Sequence, residues 1–171
     1  MSTYLSHYCS PLGEITIAAD DSAVIGVWFD GQAYFKADLN EPCEEIMTPL
    51  LSEVITTLDA YFNGEQIEVN FPLHPHGTTY QKEVFALLLN IPYGETCTYG
   101  SLAEQYFNMY GRRTSPRAIG SAVSHNPISI LIPCHRVIGA NGSLTGYAGG
   151  IKTKEALLNL EAASLKNTHS N

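Results

Sequence analysis

A thiol and an imidazole stand side by side in LIPCHRVI, residues 131–138, where an apolar run reaches its proline. A cysteine is a nucleophile only as its thiolate, and an ordinary thiol is only slightly ionised at neutral pH. Cys134 therefore calls for something that lowers its pKa, and His135 is the base at hand. Neighbours on an extended chain project in different directions, so the link between the two is expected to be indirect, through a bound water or a turn. Glu161, on the final helix, is the carboxylate suited to orient the imidazole and complete a Cys–His–acid relay. Arg136 suits the bracing of loops by hydrogen bonds. The plainer alternative makes Cys134 a small core residue and His135 a surface one.

The elements around this pair must hold it in place. The run ISILIP, residues 128–133, reads as a short buried strand or extended segment. After the pair, GANGSLTGYAGG is a glycine-rich loop with neither the Lys-Ser/Thr of a phosphate-binding loop nor a dinucleotide spacing. Its natural role is to hug something flat. The last helix is expected from about residue 151 to 163, with a polar, frayed tail KNTHSN. Upstream, Thr78 and Gln81 fit a capping box ahead of a helix with Val84, Phe85 and Leu88 on one face. Thr98 suits the cap of a helix through YGSLAEQYF. A loop with Gly111, Arg112 and Arg113 follows. Ser115 and Pro116 then start RAIGSAVS, which His125, Asn126 and Pro127 end.

Two short helices joined by a basic turn form the pattern of a helix-turn-helix. The second is unusual for one. Ala118, Gly120, Ser121 and Ala122 are small, and only Arg117 is long and charged. Reading major-groove edges needs several long polar side chains. Small residues instead let backbone approach phosphates and a shallow groove, leaving one arginine to act on the base stack. A tightly packed core helix with a surface arginine has the same composition.

The N-terminal half reads as a small α/β unit. EITIAAD and AVIGVWF, around the turn Asp20-Asp21-Ser22, suggest a hairpin. TPLLSEVITTLDAYFNG is an amphipathic helix, with Thr48 as cap, Pro49 at its first position, and Leu51, Val54, Leu58 and Tyr61 on one stripe. The break PLHPHGTT, residues 72–79, divides the chain into domains 1–77 and 78–171. The two differ in charge. The first holds 12 acidic and one basic side chain, net −11, and the second 5 acidic and 8 basic, net +3, within a chain of net charge −8. A chain polarised in this way can turn its basic half to a polyanion. The N-terminus lacks the charged and apolar regions of a signal peptide, and no window reaches the roughly 18 apolar residues of a membrane span. A cytoplasmic location, nucleoid-associated if bacterial, is expected. The four cysteines show no C-x-x-C spacing, which fits unpaired thiols in a reducing compartment.

The segments IPYGETCTYGSLA, SPRAIGSAVSHNPISILI, PCHRVIG and NGSLTGYAGG resemble, in order, those of the O(6)-alkylguanine-DNA alkyltransferases, or methylated-DNA–protein-cysteine methyltransferases. SPLGEITIAADDSAVIGVWF and LDAYFNGE extend the likeness more loosely to the N-terminal half. The resemblance implies an α/β protein: a small ribonuclease H-like N-terminal domain and a mainly helical C-terminal domain with a helix-turn-helix. It implies a duplex carrying O(6)-alkylguanine, or O(4)-alkylthymine, as partner, with the lesion rotated out toward Cys134, which takes the alkyl group irreversibly and without a cofactor. Arg117 would fill the space left by the base, with Ala118, Gly120, Ser121 and Gly100 along the DNA. Tyr99 would donate to a ring nitrogen of the departing guanine, Asn126 would hold the turn, and Glu161 would pair with His135. Tyr147, Ala148 and Val123 would line the alkyl pocket. The chain is expected to act as a monomer.

The chain also departs from that pattern. Thr79-Tyr80 and Phe85 replace a Pro-Phe and a Trp common in relatives. Ser124-His125 replaces small or Asn-Gly pairs, with consequences for the hinge or the local charge. His7, Cys9, Cys43, His74 and His76 lack the spacing of the zinc site some relatives hold, so no metal is expected. Cysteine at 134, where alkyltransferase-like proteins carry tryptophan, favours transfer over mere binding. A lesion-binding module with an unreactive Cys134, and a thiol hydrolase that turns over, are the two rival readings.

Overall fold

The edge of one small sheet determines where the reactive pair ends up. The computed structural model describes residues 2–36, 39, 42–144 and 146–169. Strands β1 (Thr3–Ser10), β2 (Gly13–Ala19), β3 (Val24–Phe29) and β4 (Cys43–Glu44) form one sheet in the order β3-β2-β1-β4. The pairs β1–β2 and β2–β3 are antiparallel, and β1–β4 is parallel. The expected hairpin is β2–β3. Its turn is closed by the Asp20 carboxylate, which accepts from the Ser22 and Ala23 N–H groups, each at 2.8 Å. β1, a polar strand, was not anticipated. Within β3, Trp28 folds its ring over Gly26 so closely that a Cβ there would lie 1.8 Å from it.

Helix α1 (Pro49–Phe62) packs on this sheet as its stripe predicts, with Leu51, Val54, Leu58 and Tyr61 fully buried. Each such side chain contributes about 1.5–3 kcal/mol on burial. Thr48 caps it by accepting from the Leu51 N–H at 3.2 Å.

β3 lies at the sheet's edge, where unpaired backbone invites further partners. Two segments take them. Val24 donates to the Pro72 carbonyl at 2.9 Å and accepts from the His74 N–H at 2.8 Å. Val27 donates to Pro127 O at 2.8 Å and accepts from the Ser129 N–H at 3.0 Å. The second contact anchors the run that leads to Cys134.

That run is buried but is not a strand. It makes one bridge, Val27 to Ile128, and then turns, with Ile130 left-handed at φ 69°. The Asn126 side chain takes the place of a strand partner. Its Oδ1 accepts from the Ile128 N–H at 3.0 Å, and its Nδ2 donates to Ile128 O and Ile132 O at 3.2 and 2.9 Å. A left-handed β-branched residue costs on the order of 1–2 kcal/mol, and these bonds offset it.

The C-terminal part is mainly helical: α2 (Thr79–Leu88), α3 (Tyr99–Tyr110), α4 (Pro116–Ser124) and α5 (Ile151–His169). The capping box of Thr78 and Gln81, the Thr98 cap and the Ser115 cap all form. α3 runs one turn further than expected and ends on left-handed Gly111. α5 also runs on, through His169, so the expected end at residue 163 and the fraying from residue 166 are corrected; residues 170 and 171 of that tail lie outside the described residues. The extra turns have tertiary partners. Leu165 packs so tightly against Gly94 that a Cβ there would lie 2.0 Å away, and Ser164 donates to Gly64 O.

A two-residue parallel pair, β5 (Cys97–Thr98) with β6 (Val137–Ile138), ties the start of α3 to the chain just after Arg136. Tyr99 is thereby brought beside the Cys134 turn. Among the described residues no helix is long and apolar enough to cross a membrane, and none of the four cysteines is in a disulfide.

Candidate active site

Cys134, His135 and Arg136 form a single turn of 3₁₀ helix rather than extended chain. His135 and Glu161 are both fully buried, with His135 Nε2 2.5 Å from Glu161 Oε2. The carboxylate is saturated. Oε2 also accepts from the Tyr61 hydroxyl at 2.7 Å and from Arg136 Nη2 at 3.2 Å, and Oε1 accepts from Arg136 Nε at 2.8 Å and the Gly94 N–H at 2.9 Å. Burial alone would push the Glu161 carboxyl up, yet its bonds and charge pairing with His135 and Arg136 hold it at about 2. Arg136 also donates to Ile91 O at 2.7 Å, the bracing role its type suggests.

Burial pushes the His135 pKa down, against the pull of Glu161, so the imidazole is neutral. With the carboxylate ionised, Nε2 must carry the proton. Nδ1 is then the acceptor, and it has no partner among the described residues. A ring fixed on one side and open on the other can receive a proton and hold it against a buried anion.

The thiol differs from expectation. Cys134 is buried, 3% exposed, and burial pushes its pKa up to about 11 rather than down. The Asn126 side chain, the charge of Lys154 and the N–H groups of Cys134 and His135 act in the opposite direction without prevailing. The resting sulfur is a neutral thiol, because removal from water disfavours the anion more than these groups favour it. Lys154 on α5 is itself 1% exposed, and burial brings its ammonium down to about 8. Its Nζ stands 5.8 Å over the Tyr99 ring. Burial, with a smaller contribution from Cys134, raises the Tyr99 phenol.

Two glycines of the glycine-rich loop lie against the protein's own tyrosines. A Cβ on left-handed Gly146 would lie 3.0 Å from the Tyr99 hydroxyl, and one on Gly149 2.7 Å from the Tyr147 ring. Tyr147 is buried, and the Ala148 carbonyl accepts from the Ala33 N–H at 3.2 Å. Val123 is buried in the core, on the inward side of α4 with Ile119 and Ala122.

The other side of α4 faces out. Arg117 and Ser121 are exposed, and Ala118 and Gly120 are half-buried, as is Gly100 in the first turn of α3. Gly120 passes over the Tyr99 ring, where a Cβ would be 3.6 Å from it. In the basic turn, Arg112 is held by Glu83 and by the Tyr106 hydroxyl at 3.0 Å, whereas Arg113 is exposed. His125 Nδ1 donates to Ser121 O at 2.8 Å, and the ring stacks on Tyr34 with centroids 4.1 Å apart. The unusual pair at 124–125 thus closes α4 and joins it to the N-terminal half.

Two family models match: the 6-O-methylguanine DNA methyltransferase DNA binding domain over residues 79–163, and the ribonuclease-like domain of the same enzyme over residues 3–75. The methylated-DNA–protein-cysteine methyltransferase of Mycobacterium tuberculosis is 44% identical over 155 residues, spanning 89% of this chain and 88% of that one. This chain belongs to the methylated-DNA–protein-cysteine methyltransferase family. The namesake of Methanosarcina acetivorans is 42% identical, over 94% of this chain and 99% of its own. The crystal structure of M. tuberculosis OGT in complex with DNA superposes with a TM-score of 0.81 at 39% identity, covering 96% of this chain and 94% of that one.

In this methylated-DNA–protein-cysteine methyltransferase family member, two residues of the site carry little signal in the sequence. Tyr61 was visible only as the last apolar position of the α1 stripe, although a buried phenol demands a partner for its hydroxyl. Lys154 stands in no motif of the chain. Its spacing to Leu157 and Glu161 places all three on one face of α5, and that was the available signal.

Proposed function

We propose that this chain repairs DNA by moving an alkyl group from O(6) of a guanine in a duplex onto Cys134, once per molecule. The observation that carries the reading is a buried Cys134 on one turn with His135, whose Nε2 is held by Glu161 while its Nδ1 has no partner among the described residues, close to a helix whose outer face is small except for Arg117. Domain 1–77 carries the sheet and α1, and domain 78–171 carries the DNA face and every group that acts on the alkyl carbon.

Small residues Ala118, Gly120 and Ser121, with Gly100, let α4 and the start of α3 approach a minor groove. Arg117 takes the space of the extruded nucleotide. The lesion then enters beside Tyr147, Ala148 and Val123. The Cys134 proton passes through a bridging water to His135 Nδ1, and Glu161 holds the resulting imidazolium. Sulfur attacks the alkyl carbon, the S–C bond forms, and the C–O(6) bond breaks with its electron pair leaving on guanine. The Tyr99 hydroxyl donates to a ring nitrogen of that base, which makes it a better leaving group, while the nearby Lys154 ammonium stabilises the anion that forms. Asn126 holds the turn that presents the sulfur.

A thioether has no acidic proton and a poor leaving group, so the product is not reset. The sulfur is the acceptor, so no cofactor is required. All these groups come from one copy of the chain, which fits action as a monomer. With excess O(6)-methylguanine duplex, repair should stop at one methyl per protein, and Cys134→Ser should abolish it. Continued turnover would favour a hydrolase, and retained binding without transfer a lesion-recognition module.

A further inference from the structure

Tyr61 belongs to α1, in the N-terminal domain, yet its hydroxyl ends in the relay of the other domain. It is fully buried, donates to Glu161 Oε2 at 2.7 Å, and lies 3.5 Å from His135 Nε2. We propose that Tyr61 is a positioning residue of the relay, which shares Glu161 Oε2 with His135 and so keeps the imidazole neutral and its Nδ1 ready for the thiol proton. It touches neither the sulfur nor the lesion.

The charged and titratable groups around His135 allow the direction of its effect to be derived. Arg136, on the same turn, and Lys154, on α5, both oppose a positive imidazole, as does burial. Glu161 is the group that favours it. Cys134 precedes the ring in the chain. Tyr93 packs edge-on to Tyr61 with centroids 6.3 Å apart and lies under the Arg136 guanidinium at 5.6 Å. Each donor to a carboxylate makes it less basic. The Tyr61 hydroxyl therefore weakens the single force pulling His135 toward its charged form. Without it, Glu161 Oε2 holds the Nε2 proton more strongly, His135 charges at higher pH, and Nδ1 is occupied before the thiol can use it.

The inference rests on the transfer reading only for its kinetic consequence, so the test has one readout that does not need transfer. In Tyr61→Phe, the His135 ring titration followed by NMR in the unreacted protein should move to higher pH by about half to one unit. The acid limb of single-turnover transfer should move with it, slowing the reaction roughly three- to tenfold just below that limb. 3-Fluorotyrosine placed at position 61 keeps the ring and is a stronger donor, so it should move both in the opposite direction, and it decides the matter if Tyr61→Phe does not fold. Phe62→Leu, which removes an edge-on neighbour of Tyr61 but no donor, should lower thermal stability and leave the titration in place. The proposal is overturned if the titration stays put with phenylalanine or fluorotyrosine at 61 while only thermal stability changes. If the wild-type protein transfers nothing, the transfer reading fails, and the titration still decides the role of Tyr61.

Discussion

The two sides of the His135 ring are built on opposite principles. On the Nε2 side, Glu161 accepts five hydrogen bonds from Tyr61, His135, Arg136 and Gly94, and its charge is held firmly. Around the sulfur, burial disfavours both ionic forms: the thiol is raised to about 11 and the ammonium of Lys154 lowered to about 8, while His135 Nδ1 has no partner among the described residues. The first region resembles a structural core, in which buried polar groups are fully paired. The second carries the cost of holding ionisable groups away from water. Reaction chemistry belongs on the second side, because a group that is already satisfied has nothing to gain from a substrate. The first side is what lets the second stay open, by fixing the ring against collapse.

Breaking the satisfied side should have the largest effect. Glu161→Ala leaves the buried Arg136 charge and the Tyr61 hydroxyl without their acceptor. Unfolding by denaturant should show a loss of about 3–5 kcal/mol. On the open side, Tyr99→Phe should slow single-turnover transfer roughly a hundredfold with little change in duplex affinity, and an unaltered rate would remove Tyr99 from the chemistry. Arg117→Ala should lower capture of the lesion in duplex about tenfold and spare reaction with the free alkylated base; equal losses on both would contradict a wedge. His125→Ala removes the bond to Ser121 and the stack on Tyr34. It should cost about 1 kcal/mol, read as a small drop in thermal stability.

Acid sharpens the same contrast. The pKa values of His135 and Glu161 are both depressed in the folded protein, so the unfolded chain binds more protons and stability rises with pH. Stability should begin to fall as the pH drops below the ordinary histidine value of 6.5 and fall further between 4.5 and about 2, as Glu161 protonates. Thermal unfolding across that range checks it. Glu161→Gln should flatten the lower part of the curve.

Much of the satisfied side was legible along the chain. Glu161 could be matched to His135, and the Thr48, Thr78, Thr98 and Ser115 caps announce their helices through side chains that act within a few residues. What was not legible depends on partners distant in sequence. ISILIP looks like a strand or extended segment because it is apolar apart from Ser129, but Asn126 and the edge of β3 bind its backbone first. The length of α5 depends on Leu165 meeting Gly94. The direction of the Cys134 shift depends on burial, and Tyr61 joins Glu161 from 100 residues away. β1 escaped because its polar residues mask the alternation.

Repair by this chain requires the buried sulfur of Cys134 to be the final carrier of the alkyl group. Incubation with an O(6)-methylguanine duplex, digestion and peptide mass spectrometry test it directly. The peptide containing Cys134 should gain the mass of one methylene in proportion to lesions lost, with Cys9, Cys43 and Cys97 unchanged. Lesion loss with an unmodified Cys134 peptide would contradict it.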